Sequence, residues 1–322
     1  MREFVIGRRQ AGQRLDKYLF KILDQAPQSF VYKMLRKKNI ELNGRKASGG
    51  ERLQESDVVR IWLSEETYIK FSGRKEAELQ CCARTDAEIE VIYEDADILI
   101  VNKPAGVLSQ KAKDGDSSMN ERITTYLLQS GQLTARELAD FRPSVCNRLD
   151  RNTSGLLLAG KTVRGLQDIS GLLKTRGLKK YYRCIASGNL TDTMHLKGYL
   201  IKDGRHNVSR VTQTPDAAGS LPIETAIWPL EQLRGACYLE VDLLTGRSHQ
   251  IRAHLASIGH PLIGDVKYAD SDGKGLTGAD TLPGTDVKRP MLHAYRMEFP
   301  DGRIFCAPLP DDFNNTLQAY RG

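Results

Sequence analysis

The amino-acid sequence predicts an α+β fold in which a small αβ domain precedes a larger domain with a mixed, mainly antiparallel sheet flanked by helices. Strand-like and helix-like segments alternate without the regular βαβ repeat of a parallel sheet. The chain has 322 residues, a length that suits two domains. Residues 1–62 hold 14 Lys and Arg against 7 Asp and Glu, whereas the remaining residues hold 33 of each. A basic module joined to a neutral body is therefore expected, and such a module favours a polyanionic partner.

The first predicted elements form a compact unit at the N-terminus. Apolar residues spaced three and four apart predict a helix over Arg14–Ile22. Ser29 is the expected N-cap of a second helix. Asn43-Gly44 is the preferred pair for a tight type I′ turn and predicts a hairpin. We set this domain at residues 1–65.

Basic side chains concentrate at the end of the second helix and in the hairpin that follows it. Between residues 30 and 46 there are six of them and a single acid, Glu41. Cations in such a cluster can contact successive phosphates of a nucleic acid. A solvated lysine-rich face without a ligand is the alternative explanation. The six candidates are Lys33, Arg36, Lys37, Lys38, Arg45 and Lys46.

The rest of the chain divides into a linker and a larger domain. Residues 66–88 are polar and charged, and we predict a linker there. Residues 89–322 contain apolar runs typical of strands and a helix that Thr162 can cap. The stretch at residues 270–287 is rich in Gly, Asp and Thr, and it is expected to be a surface loop.

The cysteines and the hydropathy pattern indicate the compartment. The six cysteines are scattered apart from the adjacent Cys81-Cys82, and no C-x-x-C pair occurs. This pattern disfavours both a zinc ribbon and a disulfide framework. No apolar run approaches the ~18 residues of a membrane span, and the N-terminus lacks a secretory signal pattern. We expect a cytoplasmic protein with reduced thiols and no membrane association.

The segment Asn147–Gly155 is the first that could carry chemistry. Within it, Asp150 lies close to Arg148 and Arg151. Nearby positive charge favours the ionised carboxylate that nucleophilic or acid–base catalysis needs. The alternative is an aspartate that pairs with its neighbours for structural reasons only.

The segment Thr245–Leu255 predicts a helix that begins near Ser248 and ends at Gly259. His249 and Arg252 are three residues apart and therefore share a face near the helix start. A metal site is not expected, because the histidines of this region lack the i, i+4 spacing and a carboxylate partner. A polar face of this kind can meet an anion. Its members are Arg247, His249, Gln250 and Arg252.

Lys180-Tyr181-Tyr182 is the third candidate, and it lies on a predicted strand. Successive strand residues point to opposite faces of a sheet, so at least one of the two tyrosines can reach a cleft. Cross-strand packing is the more usual role of a strand tyrosine, and it stays open as an alternative.

Together these segments resemble the RluA-type ribosomal large-subunit pseudouridine synthases over the whole chain. Residues 147–155 resemble the family's R-L-D-x-x-T-S-G segment, and residues 180–182 resemble its K-x-Y segment. Residues 245–252 resemble the segment G-R-[ST]-H-Q-[IL]-R. One departure is Asn147, which stands where the family usually has His. The implied fold of the larger domain is the pseudouridine synthase fold.

The N-terminal region is similar to the S4-type RNA-binding domain, named after a ribosomal protein. The similarity covers residues 14–19 and residues 35–47. It implies that the basic domain docks RNA through its phosphates, whereas the neutral domain carries the chemistry.

The family resemblance implies an RNA pseudouridine synthase that needs no cofactor, and it favours 23S rRNA as the substrate. Asp150 matches the family's essential aspartate, which acts either as nucleophile or as base. Tyr182 matches the residue that stacks on the target base. Arg252 matches the basic residue that pairs with the aspartate and keeps it ionised.

The same resemblance assigns further RNA contacts. Arg151 would fill the vacated base stack or hold the flipped nucleotide. A tRNA synthase of the same chemistry and a non-catalytic RNA-binding or ribosome-assembly protein are the alternatives, and no obligate protein partner is implied. The predicted RNA-binding residues outside the basic cluster are Arg14, Arg148, Arg151, Arg247, His249 and Gln250.

Overall fold

The computed structural model describes residues 1–72, 88–113, 116–203, 208–215, 219–268 and 287–322. None of the helices within these ranges has the length and apolar character needed to cross a membrane. The elements of the first half are β1 (Arg2–Val5), α1 (Leu15–Ile22), α2 (Gln28–Arg36), β2 (Ile40–Leu42), β3 (Arg45–Lys46), β4 (Val58–Ile61), α3 (Glu65–Phe71), β5 (Glu90–Glu94), β6 (Ile98–Lys103), α4 (Met119–Gln129), α5 (Ala135–Asp140) and β7 (Ser144–Val145). Those of the second half are β8 (Ser154–Gly160), α6 (Val163–Lys174), β9 (Lys179–Ser187), β10 (Met194–Asp203), β11 (Val208–Thr212), β12 (Leu221–Leu233), β13 (Ala236–Asp242), α7 (Gln250–Ser257), β14 (Leu292–Glu298), β15 (Ile304–Cys306) and α8 (Asp311–Arg321).

The described chain forms two compact units, and boundaries between them fall within β6, β8 and α6. We describe each unit by itself. The first contains Met1–Ile100, Gln110–Asn147 and Leu158–Gly171. The second contains Val101–Ser109, Arg148–Leu157 and Leu172–Gly322.

The N-terminal part of the first unit follows the sequence prediction closely. A four-stranded sheet in the order β1-β4-β2-β3 packs with α1 and α2 around one apolar cluster. The hairpin turn is made by Asn43 and Gly44 at φ values of 52° and 72°, which is the left-handed pair that a type I′ turn requires. The expected cap Ser29 is wrong, because α2 begins at Gln28 with Pro27 at its N-cap, two residues earlier than predicted.

The remainder of the first unit joins the N-terminal segment through buried hydrogen bonds. Val163 N donates to Arg9 O at 3.0 Å, and the Arg9 guanidinium donates to Lys161 O at 3.0 Å. The Lys161 ammonium is itself buried and bonds the Glu94 carboxylate at 2.6 Å. Thr162 caps α6 as predicted, because its hydroxyl accepts from Gly165 N at 3.0 Å.

The second unit is built on antiparallel strands in the order β11-β10-β12-β13-β9-β14, with β15 on β14. The first residues of β8 pair with β14 in parallel. Gly155 (φ 113°) permits this close approach, since a Cβ there would lie 2.3 Å from the Ala294 carbonyl oxygen. The predicted α+β class with a mainly antiparallel sheet is confirmed.

The predicted boundaries at residues 65 and 88 stay a prediction. Helix α3 (Glu65–Phe71) occupies the start of the predicted linker, and residues 73–87, with Cys81-Cys82, lie outside the described residues. Most of the predicted loop at 270–287 also lies outside them. The four described cysteines carry free thiols, as expected, and they are Cys146, Cys184, Cys237 and Cys306.

Candidate active site

Hydrogen bonds to its backbone groups hold the loop between Leu149 and Thr153 in place. Ser109 bonds Leu149 twice, donating to its carbonyl at 2.9 Å and accepting from its N–H at 3.0 Å. The carbonyl of Arg151 accepts from the Lys103 ammonium at 3.0 Å and from Gly106 N at 2.9 Å. Because most of its backbone groups are paired, the loop presents Asp150 from a fixed position.

The loop is anchored further at both ends. Arg289 Nη1 donates to Asn152 O at 3.2 Å, while its Nε and Nη2 bind Asp312 on α8. Asn147 Oδ1 accepts from Leu158 N at 2.7 Å. The residue that departs from the family pattern therefore fastens its own segment to β8.

Helix α7 is placed by the side chain of its first residue. Gln250 is buried, and its Nε2 donates to Glu224 O and Thr225 Oγ1 on β12, at 3.0 and 2.9 Å. Its Oε1 accepts from Thr245 Oγ1 at 2.8 Å and from Arg247 N at 3.1 Å. Its amide groups are fully used inside the protein. Gln250 thus supports the site through internal hydrogen bonds, and its contact with RNA stays a prediction.

The start of α7 differs from the prediction. His249, not Ser248, occupies the N-cap, and its backbone is left-handed with φ of 58°. This conformation turns His249 and Arg252 toward the same place, as their spacing predicted. Gly259 follows the helix with φ of 81°, as expected of a residue beyond a helix C-terminus.

The Asp150 carboxylate is 30 % exposed and faces two cationic or polar side chains of α7 and its N-cap. Arg252 Nη1 lies 3.6 Å from Asp150 Oδ2, and His249 Nε2 lies 3.8 Å from the same oxygen. Within the described residues, the chain neighbours Arg148 and Arg151 are exposed and form no ion pair with it. The positive charge beside Asp150 therefore comes from Arg252 and not from the flanking arginines.

Arg252 divides its guanidinium between two carboxylates. Nε and Nη2 bind Asp265 at 2.6 and 2.7 Å, and both side chains of this pair are nearly fully buried. Burial acts to lower the pKa of Arg252, but the hydrogen bonds and charge of Asp265 more than offset it and raise the pKa. The remaining nitrogen, Nη1, is left to face Asp150. Asp265 thus orients the guanidinium that stabilises the catalytic candidate.

His249 is fixed by a hydrogen bond on its other nitrogen. Its Nδ1 lies 3.0 Å from the Tyr268 hydroxyl, which itself accepts from Ser209 N at 2.7 Å. Burial lowers the pKa of His249, and the charge of Asp150 acts in the opposite direction. The ring is therefore neutral at neutral pH, and Arg252 supplies the net positive charge next to Asp150.

Tyr182 lies on β9 between Val241 of β13 and Ala294 of β14. Its side chain is only 6 % exposed. Burial raises the pKa of the Tyr182 phenol, and the negative charge of Asp150 adds to the increase. Tyr182 is thus a protonated ring within electrostatic range of Asp150. Asp150, Tyr182 and Arg252 are brought together as predicted, and all three belong to the second unit.

Sequence reasoning missed three supporting residues. Asp265 and Tyr268 lie beyond α7 in the chain, outside the residues that the three motifs singled out. Lys103 is the last residue of the apolar strand β6, and its lack of exposure could not be read from the local pattern. For Asp265 and Lys103 the signal is a charged residue two positions beyond an apolar run.

We expect replacement of Lys103 by methionine to change how stability depends on pH. Burial lowers the pKa of Lys103 to about 7, Arg289 acts in the same direction and Asp150 opposes both. Between pH 7 and the ordinary value of 10.5, the unfolded chain binds a proton that the folded chain lacks. The wild-type free energy of unfolding should therefore rise with pH across this window relative to that of Lys103→Met. Urea unfolding at several pH values measures this difference, and parallel pH profiles would contradict it.

Comparison with known proteins identifies a matching family model and relatives of similar length. A family model described as RNA pseudouridylate synthase matches residues 97–257. Ribosomal large subunit pseudouridine synthase C of Salmonella typhimurium is 30% identical over 97% of this chain and 94% of its own. Ribosomal large subunit pseudouridine synthase D of Nitrosomonas europaea is 29% identical over 99% of this chain and 88% of its own.

Solved structures show the same fold. Human RNA Pseudouridylate Synthase Domain Containing 4 matches with a TM-score of 0.59 at 18% identity, covering 76% of this chain and 96% of that one. The near-complete coverage of the relatives agrees with the resemblance seen in the three sequence segments. The chain belongs to the RNA pseudouridylate synthase family, whose reaction is the isomerisation of uridine in RNA.

Proposed function

We propose that this chain converts uridines of large-subunit ribosomal RNA into pseudouridine, with Asp150 as the catalytic carboxylate. The observation that carries the proposal is the placement of Asp150 Oδ2 3.6 Å from the one nitrogen of Arg252 that Asp265 leaves free. A carboxylate positioned in this way can attack the sugar or abstract a proton, and either role suits the reaction. Tyr182 supplies the flat ring on which an extruded base stacks.

The N-terminal basic cluster supports RNA docking. Lys33, Arg36, Lys37, Arg45 and Lys46 are all exposed, and among the described residues none of them forms an ion pair. Several other basic residues of the N-terminal segment are neutralised, as in the pairs Arg14–Asp16 and Arg60–Glu3. The unpaired charge is thus concentrated on α2 and the hairpin, where it can contact phosphates.

We expect the double variant Lys33→Gln, Lys37→Gln to weaken RNA binding without unfolding the protein. Each substitution removes an exposed, unpaired charge, so the slope of log affinity against log salt should become shallower by about 1 to 2. The matched control is Lys174→Gln, Lys202→Gln, two exposed lysines elsewhere. An equal loss in both double variants would show that only net charge matters. Deleting residues 1–65 is a poorer test, because Arg9 is bonded into the rest of its unit.

Ribosomal RNA is the proposed substrate because the matched relatives are named for the ribosomal large subunit. A comparison of pseudouridine maps of rRNA and tRNA, from cells with and without this protein, tests the choice. Loss of pseudouridine from large-subunit rRNA is the expected result. Loss from tRNA alone, or from neither RNA, would reject the proposed substrate or the activity, respectively. The proposed site of action is the cytoplasm.

A further inference from the structure

Next to the basic cluster, the first unit has a groove of about 590 Å³. Its lining includes Tyr32, Leu35 and Arg36 of α2, and Lys46, Ala47 and Ser48 after the hairpin. We call it the α2 groove. We propose that the α2 groove binds an unpaired nucleobase of the RNA substrate, at a place separate from the loop that carries Asp150. This inference rests on the proposed function in one respect, that the substrate is RNA.

The floor of the α2 groove is apolar and closely packed. Leu35 and Ala47 are almost completely buried, at 1 % and 5 % exposure. Gly49 (φ 97°) lets the following loop lie against this floor, because a Cβ there would come within 3.3 Å of Leu35 and Tyr32. The groove is therefore a formed feature of the fold, and its volume is within the range of small-molecule sites.

The aromatic wall is held in place without a ligand. The Tyr32 hydroxyl donates to Asp16 at 2.8 Å, and its ring makes an edge contact with Phe20. Asp16 is buried and also accepts two bonds from the Arg14 guanidinium. A fixed ring of this kind loses little entropy when a base packs against it.

The rim of the groove carries uncompensated positive charge. Arg36 and Lys46 are exposed and have no ion-pair partner among the residues described. The acid at the edge, Glu51, has its carboxylate engaged by Ser48 N, Ser48 Oγ and Gly49 N. An apolar, aromatic cleft between free cations matches the flat faces of a base and its two flanking phosphates. An acidic peptide would match the cations but leave the apolar floor unused.

The test uses the full chain and two probes of similar charge. One is a 12-residue oligouridylate with a central 4-thiouridine, and the other is inorganic polyphosphate of similar length, which has no bases. Ala47→Leu fills the groove floor and should weaken oligouridylate binding about tenfold, as expected for one stacked base, while polyphosphate binding changes less than twofold. Irradiation should cross-link wild-type protein between residues 32 and 48, and Ala47→Leu should lose this cross-link.

If Ala47→Leu has a lowered melting temperature, the matched variants Arg36→Gln and Lys37→Gln provide a second test. Each substitution removes one exposed charge, but only Arg36 lines the groove. Lys37→Gln should weaken the binding of both probes equally, whereas Arg36→Gln should weaken the binding of oligouridylate more than that of polyphosphate. The inference would be overturned if Arg36→Gln and Lys37→Gln changed the affinities for the two probes in the same way, or if wild-type protein gave no cross-link at residues 32–48. A tenfold loss of affinity for a polyglutamate peptide in Ala47→Leu would also overturn it.

The same preparations separate this inference from the proposed function. Pseudouridine formed in rRNA without base-dependent binding to the groove would reject the groove alone. Base-dependent binding without any pseudouridine would reject the proposed activity and leave the groove intact.

Discussion

Replacing Asp150 by asparagine is expected to abolish pseudouridine formation while the protein stays folded and binds RNA. The amide has nearly the same shape but cannot act as a nucleophilic or basic carboxylate. Arg252 keeps its bidentate bond to Asp265, so the substitution strands no buried charge. Loss of acid–base catalysis alone is worth ~10²–10⁴-fold, and we expect turnover to fall by at least about 1000-fold.

The measurement is tritium release or pseudouridine mapping on large-subunit rRNA, with RNA affinity and melting temperature recorded for the same sample. The control is Asp168→Asn, an exposed aspartate on α6 that pairs with Arg164. This control should behave as wild type in all three measurements. Turnover by Asp150→Asn within about tenfold of wild type would remove Asp150 from the catalytic role.

Local signals were sufficient for most of the fold. The type I′ hairpin was predicted because Asn43-Gly44 occupies left-handed backbone at little cost, a property of the dipeptide itself. The cap of α6 was predicted for the same reason, since Thr162 satisfies a backbone donor three residues away. Such features depend only on residues that are close together in the chain, so they can be predicted from the sequence alone.

The details of the site depend on contacts that are distant in sequence. Ser248 was the expected cap of α7, but the helix start is set by Gln250, whose partners Glu224 and Thr225 lie on β12. Proximity in the chain favoured the two flanking arginines as the cations beside Asp150, whereas the family motif pointed to Arg252, and Arg252 is the one that lies 3.6 Å from the carboxylate. Proximity in the chain failed here because long side chains near each other in a turn can point apart.

The assignment of Asp150, Tyr182 and Arg252 to one place came from motifs, not from periodicity. Their roles as catalytic carboxylate, stacking ring and supporting cation stay predictions. Geometry adds one element that motifs did not supply, the buried carboxylate of Asp265 that holds Arg252. That contact makes a separate test possible, because it acts on Asp150 only through Arg252.

Asp265→Asn is expected to be among the most destabilising single substitutions in the second unit. Removing Asp265 takes the bidentate partner from the nearly buried Arg252 guanidinium, at a cost of about 3–5 kcal/mol, and the partly exposed Asp150 at 3.6 Å offsets this cost only in part. Arg252 is 8 % exposed and Asp265 is 1 % exposed, so water cannot replace the lost carboxylate. Urea unfolding measures the change in the free energy of unfolding. The surface control Glu231→Gln breaks a bidentate bond to Arg321 at an exposed site and should be close to wild type.

Activity should fall as well, and a second substitution separates the two effects. Freed from Asp265, the Arg252 guanidinium is expected to turn toward Asp150 and hold its carboxylate in an unproductive position, lowering kcat more than it raises KM. Adding Arg252→Gln to Asp265→Asn removes the stranded charge, so stability should recover in part while activity does not. If the double variant is no more stable than Asp265→Asn, the cost does not arise from a buried unpaired guanidinium. If it regains activity, the positive charge of Arg252 beside Asp150 is not needed for catalysis.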